Sequence, residues 1–257
     1  MIARHIEAAT GIPTEYVHVE NYAATVTALA TGRAQLAWFG AVTTAQTYMM
    51  MGDELEVVAA RDIDKEFISY FVANADAGIG PVKDFKELVQ LAAGKNWTFT
   101  FGSKSSTSSH LMPRNFFAEQ SGKRPEQVFR TVACSGSHDM VVQKVANGEF
   151  HLGALGQPPY DRASEAIKAK APIIYTTPKF TNYCFATRQS LGRETIESLS
   201  SLAGAMGNTL LVNLHTLELL QGHFHRVIAL KEGRLFWQGP PEQLNRREPV
   251  TSRAPAR

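Results

Sequence analysis

Apolar and polar positions follow two periods along this chain, and the changes of period mark its elements. The residues through Thr10 carry the spacing of a helix's last turns, with Gly11 as a C-terminal stop and Pro13 beyond it. A helix standing first, with no strand ahead of it, is expected to follow a lost opening segment. Glu15 to Val19 alternates with period two and predicts a strand. Tyr22 to Thr31 predicts a helix ending at Gly32, and Gln35 to Phe39 a short apolar strand turned by Gly40. Thr43 to Met51 is helical and Glu56 to Ala60 a strand. This alternation argues an α/β chain with a parallel or mixed sheet under covering helices.

The alternation continues downstream. Ile68 to Ala73 predicts a strand, and Lys83 to Ala93 an amphipathic helix with Phe85, Leu88 and Leu91 on one face. Trp97 to Phe101 is a strand, and His110 to Gln120 is helical. Phe129 to Ala133, a loop SGSH and a helix Asp139 to Ala146 repeat that unit. His151 to Leu155, a helix near Ala163 to Lys170 and the strand Ile173 to Thr176 follow. The character changes after about Ser200, where Thr209 to Leu214, Arg226 to Leu230 and Arg234 to Gln238 read as strands. Thr216 to Leu220 reads as a helix and Lys231 to Gly233 as a turn. Arg246 to Arg257, rich in Arg and Pro, is expected to be disordered.

Composition narrows the function classes. With 257 residues, 44% hydrophobic and 19% charged, the chain has room for one large domain or two lobes. A formal charge of +2 gives no argument for nucleic acid or a membrane surface. Cys134 and Cys184 make no disulfide framework and are expected as small core residues. The start, MIARHIEAATG, lacks an apolar run, so as written the chain is expected to stay in the cytoplasm. Leu202 to Leu220 is interrupted by Gly204, Gly207, Asn208, Asn213 and His215 and cannot span a bilayer.

The strongest chemical signal is Trp97 to Pro113, WTFTFGSKSSTSSHLMP, a strand that runs through a glycine and hydroxyl loop into a helix. This arrangement aims free backbone N–H groups and the positive end of a helix dipole at one point. Ser105, Ser106, Thr107, Ser108 and Ser109 add hydroxyl donors, a setting that suits a tetrahedral oxyanion. The plainer reading is a helix cap, for which one serine suffices. The loop Ser135-Gly136-Ser137-His138 is placed equivalently. There His138 either donates to an anion, with a charge that depends on pH, or faces solvent beside a capping Ser137. Tyr22, at another helix start, offers a phenol or simply packs. The pattern G-x-x-x-x-G-K-[ST] is absent, as is G-x-S-x-G. Ser106, His138 and Asp139 make a hydrolase triad only on paper.

Taken in order, NYAATVTAL from Asn21, LAWFG (Leu36 to Gly40), SYFVANADAG (Ser69 to Gly78), TFTFGSKSSTSSHLMP, SGSHDMVVQKVANGEFHLGAL (Ser135 to Leu155) and YTTPKFTNY (Tyr175 to Tyr183) resemble a known family. It is that of the substrate-binding proteins of phosphonate, phosphite and hypophosphite ABC transporters. The resemblance covers about residues 1–198. It implies a two-lobed type II periplasmic binding fold, no enzymatic activity and no cofactor. Carried over, the ligand contacts fall on Ser106, Thr107, Ser108, Tyr22, His138 and Asn182. The implied partners are a small phosphonate or phosphite anion and the transmembrane permease, with no nucleic acid, and the implied location is the periplasm. Two positions depart from the family: Asn182 stands where Asp is usual, and Ser109 where glycine is common, which puts ligand preference in question. The implied division is 1–74 with 178–198 for one lobe and 75–177 for the other.

Residues 199–245 resemble something else, the end of the ATP-binding subunit of the same transporter type. His215 matches a switch histidine and Gly233 the turn after it, without Walker A, signature or Walker B motifs. That pattern implies a fused or rearranged gene, leaving a fragment without ATPase activity or a non-functional remnant as alternatives to a working binding protein. Residues 246–257 complete the division as a tail. Loss of a strand from the first lobe is expected to weaken its folding unless the tail strands substitute.

Overall fold

The computed structural model describes residues 2–205, 227–231 and 234–239. It forms two compact units, Met1–Leu211 and Val212–Arg257. Within the first, helices α1 (Ile2–Thr10), α2 (Tyr22–Ala30) and α3 (Ala41–Met51) accompany strands β1 (Leu36–Gly40) and β2 (Leu55–Ala59). Next come β3 (Ser69–Ala73), α4 (Phe85–Ala92), β4 (Thr98–Phe101), α5 (Met112–Ser121), β5 (Thr131–Cys134) and α6 (His138–Ala146). Then β6 (Leu152–Gly156), α7 (Gln157–Arg162), α8 (Glu165–Lys170), β7 (Ile173–Thr176), β8 (Tyr183–Arg188) and α9 (Arg193–Ala205) complete the unit.

Two sheets organise these elements into two lobes. The first lobe carries the order β1-β8-β2, with β8 antiparallel to both neighbours. The second carries β5-β4-β6-β3-β7, in which β4 runs parallel to β5 and β6, and β3 antiparallel to β6 and β7. The triplet β1-β8-β2 therefore repeats the triplet β6-β3-β7: in each lobe, one strand arriving from the other lobe lies antiparallel between two strands of its host. The chain crosses between lobes twice, after β2 and after β7. The crossings pair at Phe67 and Phe180, whose amides and carbonyls exchange bonds of 3.0 and 2.9 Å. Ser69 and Thr177 extend this contact, with Ser69 N–H donating to Thr177 Oγ1 at 2.9 Å.

The repeat explains why Glu15 to Val19 is not a strand, contrary to its alternating pattern. In chain order this segment holds the place that β5 holds in the second lobe. There β5 hydrogen-bonds only to β4, and β4 to β6. Among the described residues β1 has β8 on one side and no strand in the role of β4 on the other. Without that neighbour, period-two patterning has no ladder to join.

The second lobe has the larger core. Phe71, Phe85, Phe99, Phe101 and Phe117 are fully buried in it. The helix α4 presents Phe85 and Leu88 inward. Its start is fixed reciprocally: Asp84 accepts from Glu87 N–H, and Glu87 accepts from Lys83 N–H, both at 2.8 Å. The first lobe packs Val26, Leu29, Phe39 and Ala186 in one cluster, and Val58, Ala59 and Leu199 in another. Cys134 is exposed and Cys184 partly so, not core residues as expected, because Cys134 ends an edge strand. Of the second unit, β9 (Val227–Lys231) and β10 (Arg234–Gly239) form an antiparallel two-stranded sheet of their own, matching two strands read from the pattern. The readings at Thr209 to Leu214, Thr216 to Leu220, His215, Gly233 and the tail lie outside the described residues. No helix among the described residues is long and apolar enough to cross a membrane.

Phe85 meets Tyr175, Phe71 and Phe117 at ring distances of 4.3, 4.6 and 5.1 Å. Phe85→Ala is therefore expected to cost about 3–5 kcal/mol of second-lobe stability, read by urea unfolding with tryptophan fluorescence. A cost below about 1 kcal/mol would contradict this packing.

Candidate oxyanion-binding site

Five helices begin at the cleft between the lobes: α2 and α3 from the first, and α6, α7 and the helix after β4 from the second. The last opens with a widened turn over Thr107–Leu111 before continuing as α5. Its first internal bond runs from Leu111 N–H to the Ser106 carbonyl at 3.1 Å, so the amides of Thr107 and Ser108 precede the ladder. Ser106 caps this helix by accepting from Ser109 N–H at 3.1 Å. Gly102 lets the loop fold back. A Cβ there would run into the Ser109 side chain, whose own Cβ would lie 2.8 Å away.

All six residues expected at the site meet here. Burial pushes the Tyr22 phenol up, while the Ser106 hydroxyl beside it acts the other way. Thr107 Oγ1 accepts from Val42 N–H of α3 at 3.0 Å. Ser108 is fully buried, and its carbonyl accepts from the Ser69 hydroxyl at 2.6 Å. Ser108 Oγ and both side-chain amide atoms of Asn182 are buried without a hydrogen-bond partner, as is Ser109 Oγ. Asn182 is held at the lobe crossing, its N–H donating to the Asp64 carbonyl at 2.8 Å.

His138 shows how the site is tuned. It is the first residue of α6, behind the cap Ser137, which accepts from Met140 N–H at 3.2 Å. The capping reading of Ser137 thus holds together with an inward histidine. Its Nδ1 accepts from Gly156 N–H at 2.9 Å, so the ring proton sits on Nε2, facing Ser106 Oγ at 3.4 Å. Burial, the largest cause, lowers its pKa to about 4, with Asp139 opposing and Arg162 assisting. The charge still varies with pH, but burial moves the change well below neutrality, and around neutrality this is a neutral donor. The same bond removes the triad, because Nδ1 faces a backbone amide where a hydrolase histidine needs a carboxylate.

Two groups escaped the sequence reading of single residues. Tyr183, whose pKa burial pushes up to about 12, neighbours Tyr22, Ser108 and Asn182; the side chains of the last two act the other way, although their contacts with it fall short of hydrogen-bond geometry. Its position beside Asn182 in the quoted segment was the available signal. Gly40 and Gly156 end β1 and β6 where the crossing strands enter, opposite Tyr183 and Ser69. A Cβ at Gly156 would lie 2.9 Å from Ser108 Oγ, 3.1 Å from Phe67 and 3.2 Å from His138. The converging groups are hydroxyls, phenols, an amide, a neutral imidazole and helix amides. They supply donors and dipoles without a formal charge, a cradle for an oxyanion.

The sequence profile of the family described as "ABC transporter, phosphonate, periplasmic substrate-binding protein" matches residues 1–230. The chain belongs to this family. Its members are substrate-binding proteins, not enzymes, and the family is periplasmic. Among curated relatives, the probable ABC transporter phosphite binding protein PhnD1 of Prochlorococcus marinus is 30% identical over 194 residues, 74% of this chain and 64% of the relative. The matched part is thus less than two thirds of that relative's length. The solved structure of PhnD1 from the same organism, in complex with methylphosphonate, superposes with TM-score 0.71 at 30% identity, covering 78% of this chain and 75% of that one. The architecture is that of type II periplasmic binding proteins. A partial match of 31% over 103 residues, 40% of this chain and 34% of the relative, links the phosphonate-family chain to the phosphonates import ATP-binding protein PhnC 2 of Pseudomonas aeruginosa. That stretch is longer than residues 199–257, and the family profile runs to residue 230, so neither places a boundary at 199.

Folding keeps His138 neutral down to about pH 4, whereas the unfolded chain protonates it near 6.5. Its contribution is thus fully present above pH 6.5 and lost as pH falls toward 4, an effect of order 3 kcal/mol. His138→Gln is expected to flatten this part of the stability profile, measured by urea unfolding across that range. An unchanged profile would show that His138 is not held neutral by the fold.

Proposed function

We propose that the cleft captures a small phosphorus oxyanion, a phosphonate, phosphite or relative, for delivery to the transmembrane permease of an ABC transporter. The observation that carries this reading is the set of buried polar atoms left without partners at one point. Ser108 Oγ and the two amide atoms of Asn182 lie there, beside the Nε2 proton of His138, which has a long contact of 3.4 Å to Ser106 Oγ. Burying such atoms unpaired costs about 1–3 kcal/mol each, so the site favours a guest that satisfies them. Ser106, Thr107 and Ser108 offer donors from the second lobe, and Tyr22 from the first. Tyr22 and Tyr183 stay protonated because burial raises both phenols. The buried carboxylate of Asp64 is held by Arg61 through bonds of 2.7 and 2.8 Å. With Asn at position 182, a fully ionised guest meets an amide and no repelling charge there. Similarity to a phosphite-binding protein, solved with methylphosphonate, supports the same substrate class.

In this reading the chain before the crossing at Phe67, together with the part after Phe180, serves as one jaw and the stretch between as the other; the expected boundary at residue 74 falls too late, because β3 already belongs to the second lobe's sheet. Residues 199–245 derive from the ATP-binding subunit, supported by the partial likeness to PhnC 2. They bring no nucleotide loop and contribute no hydrolysis.

Calorimetry with phosphite, methylphosphonate, aminoethylphosphonate and phosphate tests the proposal. At least one should bind at micromolar level or better, and Ser106→Ala or Ser108→Ala should weaken it about 10- to 150-fold, one charge-assisted hydrogen bond. Absence of binding by all four, or affinity indifferent to both substitutions, would refute it.

A further inference from the structure

Helix α3 starts without a cap of its own. Its N-cap is Gly40, which has no side chain to accept from the first turn, and the Val42 amide would be orphaned. Thr107 of the opposite lobe fills that role, accepting from Val42 N–H at 3.0 Å. Thr107 is 3% exposed, and this is its one hydrogen bond among those formed by its side chain in the described residues. The matching helix of the second lobe has no such need. Behind Gly156, α7 begins Gln157-Pro158-Pro159, and prolines carry no N–H. The demand for a cap is therefore one-sided, and the other lobe meets it.

Gly40 fits this arrangement for reasons of room. Its φ of −77° and ψ of 165° suit any residue, so backbone conformation does not call for glycine. A Cβ there would instead lie 3.0 Å from Thr107 Oγ1, 3.4 Å from Asn182 Oδ1 and 3.7 Å from Tyr183. Glycine both withholds a local cap and makes space for the distant one. Gln46 adds a second contact across the cleft, its amide reaching Ser105 Oγ at 3.4 Å.

We infer that Thr107 is a positioning residue that caps α3 across the cleft and couples anion capture to closure of the lobes. A hydroxyl accepts and donates at once. With its lone pair engaged by Val42, the Thr107 proton points elsewhere, and an oxyanion in the cleft is its acceptor. Chained bonds of this kind polarise one another, so capture of the anion tightens the cap and the cap orients the donor. Ser106 accepts from Ser109 N–H of its own helix and Ser108 is held through its carbonyl by Ser69, so neither caps a helix of the opposite lobe. The inference rests on the cleft being the ligand site.

Two readouts on the full chain separate the parts. Hydrogen exchange at the Val42 amide reports the cap without any ligand. Thr107→Val should deprotect Val42 at least tenfold relative to later amides of α3, and Thr107→Ser should restore protection. Calorimetry with methylphosphonate reports the coupling. Gly40→Ala should weaken binding tenfold or more when Thr107 is present, and by less than twofold in a Thr107→Ala background, where the clashing oxygen is gone. Equal cost of Gly40→Ala in both backgrounds would place its effect at Asn182 or Tyr183 and overturn the inference, as would Val42 protection indifferent to Thr107→Val. If methylphosphonate does not bind the unmodified chain while Val42 protection behaves as stated, the cap stands and the ligand assignment falls.

Discussion

In the proposed reading a tetrahedral anion in the cleft must be satisfied on several sides, and the donors come from the starts of helices more than from charged side chains. This choice constrains the rest of the structure. A helix start must be brought within hydrogen-bond distance of the guest, which requires the strand before it to end without a side chain in the way. Gly40 and Gly156 end their strands in this manner, and Gly102 performs the related task of letting the Thr107 turn pack on its own loop. The two-lobe repeat then supplies the same arrangement twice, facing inward from both sides.

Burial of neutral groups follows from the same constraint. Removing a histidine from water while binding its Nδ1 to a backbone amide fixes both its charge state and the direction of its proton. Two phenols raised by burial remain donors over the working range of pH. A charged lysine or arginine at this depth would carry a desolvation cost in the empty cleft, whereas dipoles and hydroxyls do not. Near the crossing, the carboxylate of Asp64 is compensated by Arg61, whose guanidinium also lies 4.1 Å from the Trp38 ring centre. Negative charge close to the proposed site is thereby neutralised locally.

Most of the second lobe was legible in the sequence because its elements are locally consistent. WTFTF, the serine loop and the helix after it each carry their own signal, and α4 announces itself by spacing, with the Asp84 cap added by the structure. What failed depended on distant partners. Glu15 to Val19 has the pattern of a strand, but a strand exists only with a neighbour. The strand β8 was passed over because YCFATR lacks clean alternation, and its identity comes from lying between β1 and β2. The helix α7 was missed because QPPYDR reads as a turn, although proline is well tolerated in a first turn. At the site, the six residues drawn from motifs and resemblance do meet. Yet the role of Gly40, the fixed tautomer of His138 and the bond from Val42 to Thr107 each join segments far apart in sequence, which no local pattern encodes.

The crossing strands and the cleft groups also share backbone in a way that bears on closure. Asn182 and Tyr183 follow directly on the segment paired with Phe67, and Ser69 binds the carbonyl of Ser108 from the other crossing strand. Asn182 and Ser108 are therefore fixed directly to the crossing segments, Asn182 through the Asp64 carbonyl and Ser108 through the Ser69 hydroxyl. Tyr22 and the start of α3 instead meet the second lobe through Ser106 and Thr107. The donors near the crossing are thus held by backbone shared between the lobes, whereas the bond between α3 and Thr107 joins the lobes away from it. Of the two bonds from α3 to the serine loop, the one to Thr107 satisfies an amide that α3 cannot satisfy for itself, and Gln46 supplies the other.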